Sequence, residues 1–486
     1  MSDLHELSAT EQVKGLRTRE ISSADLTRHY LDRITRLDPD LGAFVTVDGD
    51  AALQSAARAD ELLDQGADQG ADQGGKQGVL PALTGLPLGI KDLAPTAGLR
   101  TTFGSAPFTD HVPAEDSWTV GLLRRAGAVF VGKTNTPEFG ASCFTENDVT
   151  ERPSVTPYAT THYSSGSSGG AATAVAAGLL PLAHASDSAG SIRTPASACH
   201  LVGIKPSRGL VSSAPASAFM AVGTEGPLAR TVADAALLLD VMARPAPGDL
   251  YGWTSPSRFT DAAASGPGRR LRIAAWTDPG LAADPHPEAV AAVRRAVDLL
   301  RELGHDVREI PNPGVGDKLV RDALETWFAT TVAHAATLMA PVGSRPQLRS
   351  YTRHLMDVCG QLSAQDVLTA HSVLAGHASS MLSVFEDIDV ALTPATNGPP
   401  VPIGHFAQQG VENVSSLMLD WSCFTPWVNF TGQPAVAVPS HLDEAGLPHG
   451  VQLIGRPQHD AALVALAAEL EAAASWQDIH PPPWYQ

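Results

Sequence analysis

The sequence predicts an α/β protein built on a parallel or mixed sheet, and three observations support this fold class. Residues 270–276 alternate like a strand, and residues 287–303 place apolar side chains at helical spacing and end before Gly304. Residues 307–310 are a candidate for the next strand, and strand, helix and strand in this order favour a βαβ unit. Short apolar runs predict further buried strands at 390–392, 435–438 and 451–454. We therefore expect one large α/β body decorated with helices.

The start of the chain is predicted to be helical. Ser8 and Ser22 are each followed three residues later by an acidic residue, Glu11 and Asp25, which is typical of a helix N-cap. Residues 64–78 instead repeat Asp-Gln-Gly-Ala and carry no large apolar side chain to bury. We expect this tract to be a flexible surface loop.

A further helix is predicted to be capped by Asp116 and to stop at Gly127, followed by a short strand at 128–131. Residues 127–134 also match the nucleotide-binding pattern GxxxxGK[ST]. A phosphate loop needs flexible residues between its glycines and a helix that starts at the lysine. Here the intervening residues are Ala-Val-Phe-Val, and Pro137 interrupts any helix that follows. We therefore expect a strand at this position and no bound nucleotide.

Composition favours a globular enzyme. Of the 486 residues, 43% are hydrophobic, yet no apolar run reaches the about 20 residues of a membrane helix. The net charge of −19 repels phosphate backbones, so nucleic-acid binding is not expected. The N terminus lacks a signal-peptide pattern. The widely spaced cysteines predict buried, reduced thiols in a cytoplasmic protein; they are Cys143, Cys199, Cys359 and Cys423.

The histidines show no metal-ligand spacing, so we expect no metal. Nothing in the sequence calls for an organic cofactor. His184 and His200 flank a serine-rich segment described below, and both are expected to be structural.

Two segments place Lys, Ser or Gly where a core would carry Leu and Val. Residues 85–92 contain a strand-like apolar run that reaches Lys91, and burial there would lower its pKa and make it a base. Residues 164–170 form a Ser/Gly loop that leads directly into an alanine-rich helix. Each segment also has an ordinary interpretation, namely a lysine that reaches solvent and a flexible linker.

A third segment of small residues covers 186–197. Several successive backbone N–H groups can converge on one point there, as an oxyanion hole requires, and Ser191 is placed to act as a nucleophile. Asp187 and Arg193 bracket this serine and are candidates for a pair that fixes the loop. The ordinary interpretation of the segment is a serine-rich turn.

In this order, the three segments resemble the amidase signature family. Its GGSSGG-like loop corresponds to residues 165–170, its TDxGGSIRxPA-like loop to 186–196 and its GxKPTxGxV segment to 203–211. The resemblance spans roughly residues 80–470 and includes Gly132-Lys133-Thr134-Asn135, Glu138, Gly432-Gln433-Pro434-Ala435 and Gly450-Val451-Gln452. It points to the branch that contains 6-aminohexanoate cyclic dimer hydrolase and some urethane-cleaving amidases.

The resemblance implies a catalytic triad. Lys91 corresponds to the family's lysine base, Ser167 to its bridging serine, usually in a cis peptide, and Ser191 to its nucleophile. The implied oxyanion donors are the backbone N–H groups of Ser188, Ala189, Gly190 and Ser191. The implied supporting residues are Ser168, Asp187 and Arg193.

Three positions depart from the family pattern. Ser165 replaces the first glycine of the Ser/Gly loop, Ser186 replaces a threonine, and Ala189 replaces the first of two glycines before the nucleophile. Alanine is acceptable at that last position only if its φ is not positive.

The implied architecture is the amidase signature fold, a large mixed sheet covered by helices on both sides, in a single domain over residues 1–486. Within it we expect a helical arm at 1–63, a flexible loop at 64–78 and a catalytic core at 79–312. A variable helical region that shapes the pocket is expected at 313–425, and the C-terminal part of the core at 426–486.

The implied activity is hydrolysis of small aryl, alkyl or cyclic amides through an acyl-enzyme, with carbamates as further substrates. We expect a monomer or homodimer whose partner is a small-molecule substrate. Candidate aromatic residues for the pocket are Trp327, Phe328, Trp421, Phe424 and Trp427. Two alternatives stay open: an amidase-like subunit of a tRNA-dependent amidotransferase and a catalytically inactive scaffold protein.

Overall fold

An 11-stranded mixed sheet forms the centre of the protein, together with a two-stranded sheet. The computed structural model describes residues 3–72, 80–214, 222–281, 283–314 and 317–481. In chain order the strands are β1 (Phe44–Val47), β2 (Pro87–Lys91), β3 (Val129–Thr134), β4 (Val155–Thr156), β5 (Ala159–Tyr163), β6 (Leu182–Asp187), β7 (Val202–Lys205), β8 (Thr224–Ala229), β9 (Arg272–Ala275), β10 (Asp306–Glu309), β11 (Val390–Pro394), β12 (Ala435–Leu442) and β13 (Pro448–Gly455).

Helices surround this sheet. In chain order they are α1 (Ala9–Arg17), α2 (Ser23–Leu41), α3 (Gly49–Asp72), α4 (Trp118–Arg125), α5 (Gly169–Ala176), α6 (Arg193–Ala198), α7 (Val232–Met242), α8 (Phe259–Ser265), α9 (Pro287–Glu302), α10 (Asp317–Met339), α11 (Ser350–Gln361), α12 (Ala364–Ser383), α13 (Val414–Ser422), α14 (Pro426–Thr431) and α15 (Asp460–Ala474). Across the described ranges, no helix combines the length and the apolar character needed to cross a membrane.

The large sheet is parallel near both ends and antiparallel in the middle. Its order is β1-β3-β2-β6-β8-β7-β12-β13-β11-β9-β10. The strands β3, β2 and β6 run parallel, as do β11, β9 and β10, while the pairs from β6 to β11 are antiparallel. The predicted βαβ unit is confirmed, because α9 connects β9 to β10 and these strands pair in parallel with Arg272 opposite Asp306.

Helices cover both faces of the sheet, as predicted. Along β12, Val436 and Val438 join the core cluster that contains α1, α7, α9 and α15. Ala437 points the other way, into the cluster built from α5 and α6. This alternation follows from the two-residue period of a strand. Helix α5 consists almost wholly of Gly and Ala, so its backbone can lie close to the sheet.

The helix starts at Ser8 and Ser22 are confirmed, and each serine side chain accepts the backbone N–H three residues later. The predicted cap of α4 is wrong by one residue, because Ser117 caps the helix. Asp116 instead accepts hydrogen bonds from Ala97 N at 2.8 Å and from Arg124. A carboxylate that serves an arginine and a loop N–H is not available to the helix start.

The predicted loop at 64–78 is also corrected, because α3 continues through Asp72. The helix is already nucleated by a segment whose Ala52, Ala56 and Leu63 are buried, and adding residues to an existing helix is far easier than starting one. The rest of this tract lies outside the described residues. Downstream, α10, α11 and α12 occupy the predicted helical region, and α10 packs against both of the others.

Candidate active site

The order of the strands brings the three segments singled out in the sequence to one edge of the sheet. Strands β2 and β6 are parallel neighbours, with Gly89 opposite Ala183. Their carboxyl ends, Lys91 and Asp187, therefore lie at the same edge. Strand β8 runs antiparallel to β6, so its first residues, including Glu225, lie there too.

Lys91 is buried at this edge and contacts two hydroxyl groups. Its Nζ donates to Ser167 Oγ at 2.8 Å and to Ser186 Oγ at 3.0 Å. Burial lowers the pKa of Lys91 to about 7, although the negative charges of Asp187 and Glu225 act in the opposite direction. A substantial fraction of Lys91 is therefore neutral at neutral pH, which is the form that a general base requires.

The Ser/Gly loop before α5 carries Ser167. The peptide bond between Gly166 and Ser167 is cis. Ser168 ties this loop to the segment after β6, because its Oγ donates to Ser186 O at 3.1 Å and its N–H donates to Ser191 O at 3.3 Å. The loops that carry the two candidate catalytic serines are therefore directly hydrogen-bonded to each other.

Ser165 occupies the position where the family pattern has glycine. Its φ is +68°, in the left-handed region that favours glycine, and this costs about 1–2 kcal/mol for an L-residue. The Ser165 hydroxyl donates to Cys143 O at 3.1 Å, and this hydrogen bond helps to hold the residue in its left-handed backbone conformation. The departure from the family pattern is thus accommodated locally.

Ser167 and Ser191 both line one cavity, which also reaches Lys91. The cavity volume is about 620 Å³, within the range of sites for drug-sized ligands. No hydrogen bond engages the Ser191 hydroxyl among the described residues. Catalytic hydrogen bonds are often long without substrate and shorten when it binds.

Asp187 holds the loop of the predicted oxyanion donors. Its Oδ1 accepts the N–H of Gly190 at 2.8 Å, and its Oδ2 accepts the N–H of Ile192 at 3.1 Å. This corrects the prediction for Gly190, because the N–H that was expected to face the oxyanion is bound to a carboxylate. In the described part of the chain, the predicted donors whose N–H groups carry no hydrogen bond are Ser188, Ala189 and Ser191.

Gly190 is required for steric reasons. Its φ is +132°, and a Cβ at this position would overlap Thr425 Oγ1. That hydroxyl donates to Ala189 O at 2.7 Å, which brings the threonine against the loop. Ala189 is not among the described residues with positive φ, so alanine is acceptable where the family pattern has glycine.

Asp187 and Arg193 form the pair that the sequence suggested, and both side chains are 0% exposed. The guanidinium donates to the two carboxylate oxygens at 3.0 and 2.9 Å. It also donates to Asn429 Oδ1, Gln452 Oε1 and Thr425 O. Burial alone would raise the pKa of Asp187, but the charge and hydrogen bonds of Arg193 outweigh it and hold the pKa below its usual range.

Apolar side chains form most of the cavity wall. Two of the five predicted aromatic residues, Trp327 and Phe328, belong to it. The other three do not: Trp421 donates to Pro399 O at 2.8 Å, and Phe424 and Trp427 are buried in core clusters. Further apolar lining residues are Leu93, Phe103, Phe139, Leu324, Met339 and Met418.

Several polar lining residues are absent from the predicted site, and three of them belong to the strands beside Lys91. Ser186 contacts Lys91 directly, and His184, expected to be structural, lines the cavity together with Glu225. The sequence did contain a signal for Glu225, because an acidic residue inside a largely buried strand and directly before Gly226 and Pro227 is unusual.

The nucleotide-like stretch forms a strand, as predicted. Lys133 lies within β3, and its Nζ donates to Ala94 O and to Thr96 Oγ1, the latter at 2.8 Å. All four cysteines are free; Cys199 and Cys423 are buried, but Cys143 and Cys359 are only half-buried, which corrects the expectation of four buried thiols. No group of His, Cys, Asp or Glu side chains in the described ranges is arranged to hold a metal ion.

Comparison with known proteins places the chain in a family. The family model described as Amidase matches residues 25–464. An acylamidase from Rhodococcus erythropolis is 32% identical over 485 residues, which cover 99% of this chain and 98% of that protein. The structure of a bacterial aryl acylamidase of the amidase signature family matches with a TM-score of 0.87 and 26% identity, covering 100% of this chain and 98% of the other. The structure of 6-aminohexanoate cyclic dimer hydrolase matches with a TM-score of 0.86 and 28% identity, covering 99% of each chain. The chain therefore belongs to the amidase family of amidase signature enzymes, which act on amides.

Proposed function

We propose that this protein is a serine hydrolase that cleaves the C–N acyl bonds of small amides through Lys91, Ser167 and Ser191. The observation that carries the proposal is the 2.8 Å hydrogen bond from Lys91 Nζ to Ser167 Oγ, at a cavity that Ser191 also lines. A buried lysine with a pKa of about 7 can accept a proton near neutral pH, and a serine between it and the nucleophile can relay that proton.

Acylation starts when the Ser191 hydroxyl attacks the amide carbonyl and its proton passes through Ser167 to neutral Lys91. Backbone N–H groups of Ser188, Ala189 and Ser191 stabilise the oxyanion of the tetrahedral intermediate. The proton then returns through Ser167 to the leaving amine, and the C–N bond breaks. A water molecule attacks the acyl-enzyme in the same way, which releases the acid and restores Ser191.

The substrates are aryl, alkyl or cyclic amides, with carbamates as an additional class. The relatives support this range, since one is an acylamidase and another hydrolyses the cyclic dimer of 6-aminohexanoate. The largely apolar wall around Trp327 and Phe328 suits an aryl or alkyl group. A carbamate undergoes the same attack at its carbonyl, and the acyl product can then lose carbon dioxide.

Release of nitroaniline from a short acyl nitroanilide tests the proposal. We expect turnover by the wild type and a loss of at least about 10³-fold in Ser191→Ala. Ser164→Ala is a matched control, because its hydroxyl lies on the adjacent loop, has no hydrogen-bond partner in the described part of the chain and does not line the cavity. Equal rates in Ser191→Ala and the wild type would rule out the triad.

Matched carbamates with the same nitroaniline leaving group then rank the two substrate classes. A wild type that is inactive on all of these compounds, but copurifies with a second subunit, would favour the amidotransferase alternative. Failure of a fluorophosphonate to label Ser191 would favour the inactive scaffold.

A further inference from the structure

Lys91 must carry a positive charge inside the protein once it has accepted a proton. The titratable groups that face it are Asp187 and His184 from β6 and Glu225 from β8, while Asp92 directly follows it after β2 and Lys133 lies on the neighbouring strand β3. These groups differ in how far they can stabilise the ammonium while the tetrahedral intermediate exists.

Asp187 also raises the pKa of Lys91, but its charge is shared with Arg193, which binds both of its oxygens in a fully buried pair. Asp92 and Lys133 likewise compensate each other, since each carries a buried charge that acts on the other.

Glu225 has no such partner. Within the described ranges its ion-pair partner is His184, at 3.2 Å from Nε2 to Oε2, and neither a lysine nor an arginine. The alignment at that contact is poor, so Glu225 Oε2 is buried without a well-directed donor. Burial alone would raise the pKa of Glu225, but His184, a hydrogen bond with Thr119 and the charge of Lys91 outweigh it and hold the pKa below its usual range, which keeps the carboxylate ionised.

His184 connects Glu225 to the backbone of Lys91. The Lys91 backbone N–H donates to His184 Nδ1 at 3.3 Å, so the ring carries its hydrogen on Nε2, facing Glu225. At the other end of the lysine, Nζ donates to Ser186 Oγ. Ser186 of β6 is the residue that pairs with Glu225 of β8. The carboxylate is thus fixed relative to the lysine by two strands and one imidazole ring.

We propose that Glu225, oriented by His184, is a positioning residue that stabilises the ammonium of Lys91 formed during acylation. The attraction is weak while Lys91 is neutral and strong once it is charged, so it lowers the barrier rather than tightening substrate binding. The aspartate of a Ser-His-Asp triad acts on its imidazolium by the same principle. This role rests on the proposed function of Lys91 as the base.

The test uses Glu225→Gln, which keeps the shape of the side chain and removes its charge, beside Glu225→Asp, which keeps the charge. Rates on a neutral and an ammonium-bearing acyl nitroanilide are measured from pH 5 to 10. We expect Glu225→Gln to lower kcat by about tenfold or more on both substrates with little change in KM, and to move the acid midpoint of the profile to lower pH by about 1. Glu225→Asp should recover part of both effects.

Glu325→Gln is the control, because it removes the other carboxylate on the cavity wall. That side chain is 37% exposed and lies 3.7 Å from Arg321, so its charge is already screened and compensated. The acid midpoint of the pH–rate profile of Glu325→Gln should coincide with that of the wild type. A loss in Glu225→Gln that is confined to KM for the ammonium-bearing substrate would overturn the proposal and make Glu225 a substrate-binding residue instead.

A second readout does not depend on turnover. The chain has six lysines, so ¹³C-lysine NMR can follow the titration of Lys91, with its resonance assigned by its absence in Lys91→Met. We expect its midpoint to fall in Glu225→Gln and to stay constant in Glu325→Gln. An unchanged midpoint overturns the role of Glu225, whereas a wild type that shows the expected titration but no hydrolysis contradicts only the proposed function.

Discussion

Replacing Arg193 with methionine should destabilise the protein by about 3–5 kcal/mol, because the change leaves a buried carboxylate without its counter-charge. The magnitude follows from the surroundings of Arg193. The guanidinium binds both oxygens of Asp187, at 3.0 and 2.9 Å, and neither side chain is exposed. The substitution also removes a donor from each of three further buried acceptors, on Asn429, Gln452 and Thr425.

The size of this effect should depend on pH. In the wild type the pKa of Asp187 lies below its usual range, so the pair contributes stability above about pH 4 that is lost as the pH falls through the folded-state pKa. Without Arg193, burial raises the pKa of Asp187, and protonation then relieves the unpaired charge. The difference in the free energy of unfolding between the variant and the wild type should therefore be largest at neutral pH and decrease in acid.

Urea unfolding followed by tryptophan fluorescence and circular dichroism at pH 7 and pH 5 measures the effect. Adding Asp187→Asn to the Arg193→Met variant should recover part of the loss, since it removes the unpaired charge. The control is Lys318→Met, which breaks an exposed ion pair with Asp322 and should cost about 0–1 kcal/mol. If Arg193→Met costs no more than this control, the pair does not hold the loop as argued.

Two further predictions concern the same edge of the sheet. Wild-type kcat/KM should fall as the pH drops through about 7, because protonation removes the neutral form of Lys91. The Lys91→Met variant should lose about 10³-fold or more of its kcat/KM at every pH. A wild-type rate that is constant from pH 5 to 10 would contradict the role of Lys91 as the base. Gly190→Ala should lower both activity and melting temperature, because the added Cβ overlaps Thr425 and the φ of this residue is +132°. Gly360→Ala in α11 is the control. Its added Cβ meets no atom within 4 Å, so this change should stabilise the helix by up to about 1 kcal/mol. Equal melting temperatures for the two variants would show that the loop tolerates a side chain.

Local patterns in the sequence were sufficient for much of the fold. Apolar periodicity located the βαβ unit from β9 to β10, and the serine caps located the first two helices, because each depends on residues a few positions apart. The same reasoning misjudged residues 64–72, where local composition favours a loop but an adjoining packed helix continues through Asp72.

By itself the sequence determined the family and the candidate residues Lys91, Ser167 and Ser191, because the motifs that carry them are contiguous. Tertiary structure decided what surrounds them. The pKa of Lys91 depends on its burial between strands that lie far apart in the chain. The N–H of Gly190 is bound by a carboxylate, and the charge of Glu225 acts on the lysine because β8 pairs with β6. Spacing along a chain reports which residues share a strand or a helix face, whereas charge, burial and hydrogen-bond partners depend on the order in which the strands assemble.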